Sequence, residues 1–133
     1  MGKLLITGGA GFIGSRLAKI ASNKGWDVTV LDILSTGLQS NADSLQSKGI
    51  DVNIGDVRDK SLVAKLVAKS TAVVHLAAQV SVPLSVENPE ETMDINVQGT
   101  QNIIDSCLEN EVARLVVASS AAVYGEAETL PLK

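Results

Sequence analysis

The run Thr7-Gly8-Gly9-Ala10-Gly11-Phe12-Ile13-Gly14 limits the fold of this chain more than any other segment, because Gly8, Gly11 and Gly14 fall three apart between an apolar run and a stretch of helical period. Glycines so placed mark a strand-to-helix turn. Gly8 permits the turn, Gly11 lets the backbone approach a pyrophosphate, and Gly14 allows the helix to pack closely on the strand, with phosphates over the helix N-terminus. A Gly-rich turn with a purely structural role is the alternative. The second strand ends at Asp32, about 20 residues on, where a dinucleotide loop requires a carboxylate. Asp32 can accept hydrogen bonds from both adenosine ribose hydroxyls, and its charge repels the extra phosphate of NADP, so NAD is the expected cofactor. A capping aspartate at a strand end is the competing reading.

Short apolar runs at 3–7, 28–31, 52–54, 72–76 and 114–118 lack strict alternation, as expected of strands covered on both faces. Segments of helical length separate them at 12–23, 39–48, 59–69 and 88–109, with Gly25 and Gly49 at helix stops and Asp59 as an N-cap. This alternation predicts an α/β fold, a Rossmann-type doubly wound parallel sheet of five strands in the order 3-2-1-4-5, in one domain over 1–133. The fourth helix has a capping Asn88, Pro89 at its first position and Glu91 to complete a capping box. Its apolar residues Met93, Val97, Ile103, Ile104, Cys107 and Leu108 follow one 3.6-residue period, which predicts a common core-facing stripe. Gly99 in mid-helix costs about 1 kcal/mol and points to close packing there.

With 133 residues, 45% of them hydrophobic, the chain can bury a core without staples. Fifteen acidic against eleven basic residues leave a net charge of -4, which disfavours nucleic acid and anionic membranes as partners. The single Cys107 excludes an internal disulfide and a thiolate metal cage, and no metal site is expected. The N-terminus leads directly into the glycine loop without a long apolar segment, so a cytoplasmic location is expected.

Further candidates stand at strand ends. Asp56, after the third strand, could accept a hydrogen bond from an adenine amino group. Leu76, Ala77 and Ala78 form a small apolar wall suited to a nicotinamide ribose. His75 is the only histidine, so any Ser-His-Asp chemistry would depend on it; a hydrogen-bonded interior histidine is the favoured reading. Ser119 and Ser120 place adjacent hydroxyls after the fifth strand, where such sheets bind ligands, with capping serines as the alternative.

Together, Thr7 to Gly14, Asp32, Ser35-Thr36-Gly37, Gly55-Asp56-Val57, His75-Leu76-Ala77-Ala78, Asn96-Val97-Gln98-Gly99-Thr100 and Ser119 to Gly125 resemble the extended short-chain dehydrogenase/reductase family, in particular its nucleotide-sugar epimerases of the UDP-glucose 4-epimerase kind. The resemblance covers essentially the whole chain. It implies that Gly8, Gly11, Phe12, Ile13 and Gly14 hold the NAD pyrophosphate, Asp32 the ribose, Asp56 and Val57 the adenine, and Leu76, Ala77 and Ala78 the nicotinamide side. Ser35, Thr36, Gly37 and Ser119 join the implied cofactor set, and Ser120 becomes the active-site hydroxyl. It also implies a nucleotide-sugar substrate and a reaction in which hydride passes to NAD and returns to the opposite face of a keto sugar.

Family dehydratases carry an Asp-Glu pair where this chain has Ala121 and Ala122, which argues against dehydration. The family's base motif, Tyr-x-x-x-Lys, has no match, since Tyr124 is the only tyrosine and Glu128 stands four residues on. The expectation is therefore the N-terminal, cofactor-holding part of a longer enzyme, inactive alone. A naturally short, non-catalytic NAD-binding or redox-sensing module and the cofactor half of a sugar reductase or dehydrogenase are the alternatives. An uncovered fifth strand at the sheet edge predicts self-association.

Overall fold

A computed structural model describes residues 2–34 and 38–120. Strands β1 (Lys3–Thr7), β2 (Asp27–Asp32), β3 (Asp51–Ile54), β4 (Ala72–His75) and β5 (Arg114–Val117) pair in parallel in the order β3-β2-β1-β4-β5. This is the order expected from the sequence, with strand ends within a residue of the predicted ones. Because every strand runs the same way, the connections must cross over the sheet, and helices cover both faces.

Successive residues of β1 show why both faces are apolar. Leu4 and Ile6 face the layer of α1 (Phe12–Asn23) and α2 (Gln39–Ser47), where Ala18, Ala21 and Leu45 pack on Val28 and Val30. Leu5 points the other way, into a core shared with α3 (Lys60–Val67) and α6 (Gly99–Glu109) through Val63, Val67, Ile103 and Cys107. Full burial of a side chain such as Leu5 contributes about 1.5–3 kcal/mol. Gly25 and Gly49 follow α1 and α2 with φ of +100° and +79°, and the Asp59 carboxylate accepts from the Leu62 amide at 3.1 Å as the N-cap of α3.

The fourth predicted helix differs from its sequence pattern in three ways. A short helix, α4 (Val82–Glu87), precedes it, started by Ser81, whose hydroxyl accepts from the Leu84 amide. Asn88 closes α4, with φ -130° and ψ 67°, and its side chain makes no cap bond to α5 (Pro89–Met93). The capping box is therefore absent, and the Glu91 carboxylate lies 3.8 Å from the Arg58 guanidinium instead. Between α5 and α6 the backbone makes a π-helical turn, Asp94–Gln98. The wider turn shifts the angular register, so residues before and after it do not share one stripe. Met93 and Val97 are exposed while Ile103 and Cys107 are buried; Leu108, which the single stripe also claimed, is 74% exposed. Gly99, directly after the π turn, meets the prediction of close packing, since a Cβ there would lie 2.6 Å from Val57 Cγ2.

β5 lies at an edge of the described sheet with Val116 and Val117 about half exposed, as the sequence predicts. Among the described residues no helix is long and apolar enough to cross a membrane.

Candidate cofactor site

Parallel strands bring their C-terminal ends together. Thr7 is level with Leu31 and with His75, and His75 is level with Val117. The chain leaves β1 towards β2 on one side, while β4 lies on the other. The crevice between β1 and β4 is thus the switch point at which open α/β sheets take ligands.

The glycine loop spans this crevice. Gly8, at φ +72°, donates to the Leu31 carbonyl at 2.8 Å, and a Cβ on it would lie 2.9 Å from the Ala77 amide nitrogen. Both its conformation and its surroundings require glycine. At Gly14 a Cβ would strike the Gly8 carbonyl oxygen and sit 2.7 Å from Gly9 Cα, so this glycine lets α1 close onto the loop. The sequence reading gave Gly9 no role, yet a side chain there would run into Val30.

Gly11 is different. It precedes α1 with φ -77° and ψ -179°, extended geometry open to any residue, and a Cβ would meet only the Gly8 carbonyl oxygen, at 3.3 Å. The backbone conformation does not demand glycine here, and the packing crowds an added Cβ at that one carbonyl oxygen alone, which would have to give by a few tenths of an ångström. The backbone is left bare beside the first turn of α1, whose amides have no side-chain acceptor among the described residues. Phe12 and Ile13 point their side chains outward, at 76% and 67% exposure, so only their backbone groups can serve the loop. This bare backbone at a helix N-terminus fits a pyrophosphate, and with Asp32 it fits a dinucleotide.

Asp32 is buried, and its carboxylate braces the loop. Oδ2 accepts from the Ala10 amide at 2.9 Å and Oδ1 from the Leu34 amide at 2.7 Å. Each oxygen keeps a lone pair that ribose hydroxyls can use. The second contact steadies Leu34, which holds the unfavourable φ of +64°. Asn41 braces the same loop by donating to the Ala10 carbonyl at 2.9 Å.

On the other side, the Asp56 carboxylate is engaged by its own loop. Arg58 donates to it through Nε at 2.9 Å and Nη2 at 2.6 Å, and the Arg58 amide adds a third bond at 2.9 Å. These bonds, against an opposing effect of burial, hold Asp56 below the usual carboxylate range. The Val57 side chain is buried in the core, which leaves its backbone as the part that could face an adenine.

Leu76 and Ala77 are half-buried and Ala78 exposed at the end of β4, beside Gly8. His75 is an interior residue with both ring nitrogens bonded, Nδ1 to the Thr7 hydroxyl at 2.6 Å and Nε2 to the Thr100 hydroxyl at 2.9 Å. Burial lowers its pKa from 6.5 to about 4, so the ring is neutral at ordinary pH. The buried Cys107 thiol is shifted upwards for the same reason and packs in the core. Ser119 and Ser120 follow β5 at the same end of the sheet, both exposed. Ser35, Thr36, Gly37, Ala121, Ala122, Tyr124 and Glu128 lie outside the described residues.

Two further residues shape the site without an assigned role in the sequence reading. Asn96, in the π turn, clasps Gln79 by accepting from its amide at 2.8 Å and donating to its carbonyl at 3.1 Å. Asn102, buried in α6, donates to the Val57 carbonyl at 3.0 Å and the Arg58 carbonyl at 3.3 Å. One helical path therefore fixes the loop after β4 and the loop after β3.

This geometry agrees with the relatives of the chain. A family model described as the NAD dependent epimerase/dehydratase family matches residues 4–133. A CDP-paratose 2-epimerase of Salmonella typhi is 40% identical over 131 residues, 95% of this chain and 39% of that protein. A UDP-glucose 4-epimerase of Streptomyces lividans is 38% identical over 134 residues, 98% of this chain and 40% of that protein. The crystal structure of UDP-glucose 4-epimerase from Brucella ovis in complex with NAD superposes with a TM-score of 0.87 at 36% identity, covering 99% of this chain and 40% of that one. The chain spans about two-fifths of the length of the curated relatives it matches. A family match over residues 4–133, nearly the whole chain, makes this chain a member of the NAD dependent epimerase/dehydratase family.

Proposed function

We propose that the chain binds NAD in the crevice between β1 and β4 and serves as the cofactor-holding portion of a nucleotide-sugar epimerase of the UDP-glucose 4-epimerase kind. The bare side of Gly11 carries this reading, because its backbone conformation is open to any residue and only one carbonyl oxygen crowds the position. The amides that open α1 meet the pyrophosphate, Asp32 accepts from the adenosine ribose hydroxyls while still bracing Ala10 and Leu34, and Leu76 to Ala78 wall the nicotinamide side. Bound there, NAD supplies a reversible hydride acceptor. Ser120 is the hydroxyl assigned to the sugar.

Asp32→Ala is expected to weaken NAD binding by about 10- to 100-fold, since charge-assisted bonds contribute about 1.5–3 kcal/mol, and to weaken NADP binding less. Calorimetry with both cofactors reads the preference; an unchanged preference in the variant removes Asp32 from the ribose. The 133-residue polypeptide by itself is expected to give no useful turnover, because an absent general base costs about 10²- to 10⁴-fold. Incubation with NAD and UDP-galactose, followed for UDP-glucose and NADH absorbance, tests this. Sustained epimerisation that disappears in Ser120→Ala would overturn it.

Self-association through the β5 edge is proposed on the exposure of Val116 and Val117. Analytical ultracentrifugation across the micromolar range should show oligomers, and a strictly monomeric chain contradicts the proposal.

A further inference from the structure

The hydrogen bonds around His75 form a one-way chain. The Thr7 hydroxyl accepts from the Ala77 amide at 3.1 Å and from the Leu76 amide at 3.1 Å, the latter shared with the Thr7 carbonyl, so two N–H groups face its oxygen. Its own hydrogen must therefore go to His75 Nδ1, so Nδ1 bears no proton. The far end gives the same answer independently. The Thr100 hydroxyl lies 2.6 Å from the Asn96 carbonyl, which can only accept, so the Thr100 hydrogen is used there. Thr100 Oγ1 must then accept from His75, which requires a proton on Nε2. Both ends select the neutral Nε2–H tautomer. The chain joins three parts of the site: β1 just before the glycine loop, the start of the Leu76–Gln79 segment, and Asn96, which clasps Gln79 at the other end of that segment.

We propose that His75, locked as the Nε2–H tautomer, is a positioning residue that holds the Leu76–Gln79 wall against the Gly8 turn through Thr7, Thr100 and Asn96. The proposal rests on the reading of this crevice as the NAD site. His75 touches no cofactor in this scheme. It fixes the spacing between two segments that a dinucleotide must contact together, and the backbone of Ala77 is the element that both Gly8 and Thr7 touch.

The chain has one histidine, so a long-range ¹H–¹⁵N spectrum of the labelled protein shows a single imidazole. The expected pattern is the Nε2–H tautomer, unchanged between pH 7 and pH 5. An Nδ1–H pattern, a fast average of the two forms, or titration near pH 6.5 overturns the proposal while leaving NAD binding itself intact. The functional arm uses Thr100→Val, which keeps the side-chain shape and removes the hydroxyl, with Thr100→Ser as the conservative rescue. Thr100→Val is expected to lower NAD affinity about tenfold and to disturb the imidazole pattern, and Thr100→Ser to restore both. Should Thr100→Val fail to fold, Thr100→Ala is read in its place with the same expectation. A disturbed imidazole with unaltered NAD affinity overturns the positioning role. An unmodified chain that binds no NAD overturns this proposal together with the reading of the site.

Discussion

Replacing Gly14 by alanine is expected to destabilise the chain by about 1–3 kcal/mol and to reduce NAD binding by at least about 100-fold. The added methyl group would collide with the backbone of Gly8 and Gly9, which cannot move aside like the end of a flexible side chain. To admit it, α1 must withdraw from the loop, and the amides at its first turn move with it. Gly11→Ala separates the two roles of glycine in this loop. There the new Cβ meets only one carbonyl oxygen, at 3.3 Å, in backbone geometry that alanine adopts readily, so stability should change by less than about 1 kcal/mol. NAD affinity should nonetheless fall sharply, because the methyl group fills the space a pyrophosphate needs. Urea unfolding with calorimetry on both variants checks the pair. Equal loss of stability in the two, or undiminished NAD binding in Gly11→Ala, contradicts the division.

Acid should destabilise this chain over an unusual range for a reason that lies in one residue. His75 has a pKa of about 4 when folded against 6.5 in its ordinary state, through burial. Between those values the unfolded chain binds a proton that the folded chain does not, so stability rises with pH across the window. The contribution is complete above about pH 6.5 and is lost progressively as pH falls towards 4, a total of about 3 kcal/mol. Asp56 acts in the same direction at lower pH, because its pKa is depressed by Arg58 and its stabilisation is lost as the carboxylate protonates. Urea unfolding at pH 7, 5.5 and 4.5 should therefore show a steeper decline for the unmodified chain than for His75→Asn. Parallel declines would show that His75 does not carry the effect.

The sheet was legible because the central strands β1, β2 and β4 pack apolar residues on both faces, which wrote brief Val, Ile and Leu runs such as 72–76 into the sequence. Asp59 was legible as a cap because capping is local. The segment 82–109 was not, for two physical reasons. In α4, the apolar residues Val82, Leu84 and Val86 recur every second position and are all exposed, so no helical stripe exists to be read. In the longer helix the π turn breaks the 3.6-residue period that Met93, Val97 and Cys107 together imitate, and the sequence carries no mark of that turn. Within the site, Gly8, Gly14 and Asp32 could be placed from the strand-loop-helix pattern alone. Asp56 could be placed but not its engagement with Arg58, two residues away, and Asn96 and Asn102 act on loops 17 and 45 residues distant, beyond any local pattern.

The most direct test is a calorimetric titration of the unmodified chain with NAD and, separately, with NADP. The glycine loop and Asp32 predict saturable binding of NAD at one site, with NADP weaker by about tenfold or more. Equal affinity for the two cofactors, or no binding of either, would contradict the assignment of this crevice to NAD.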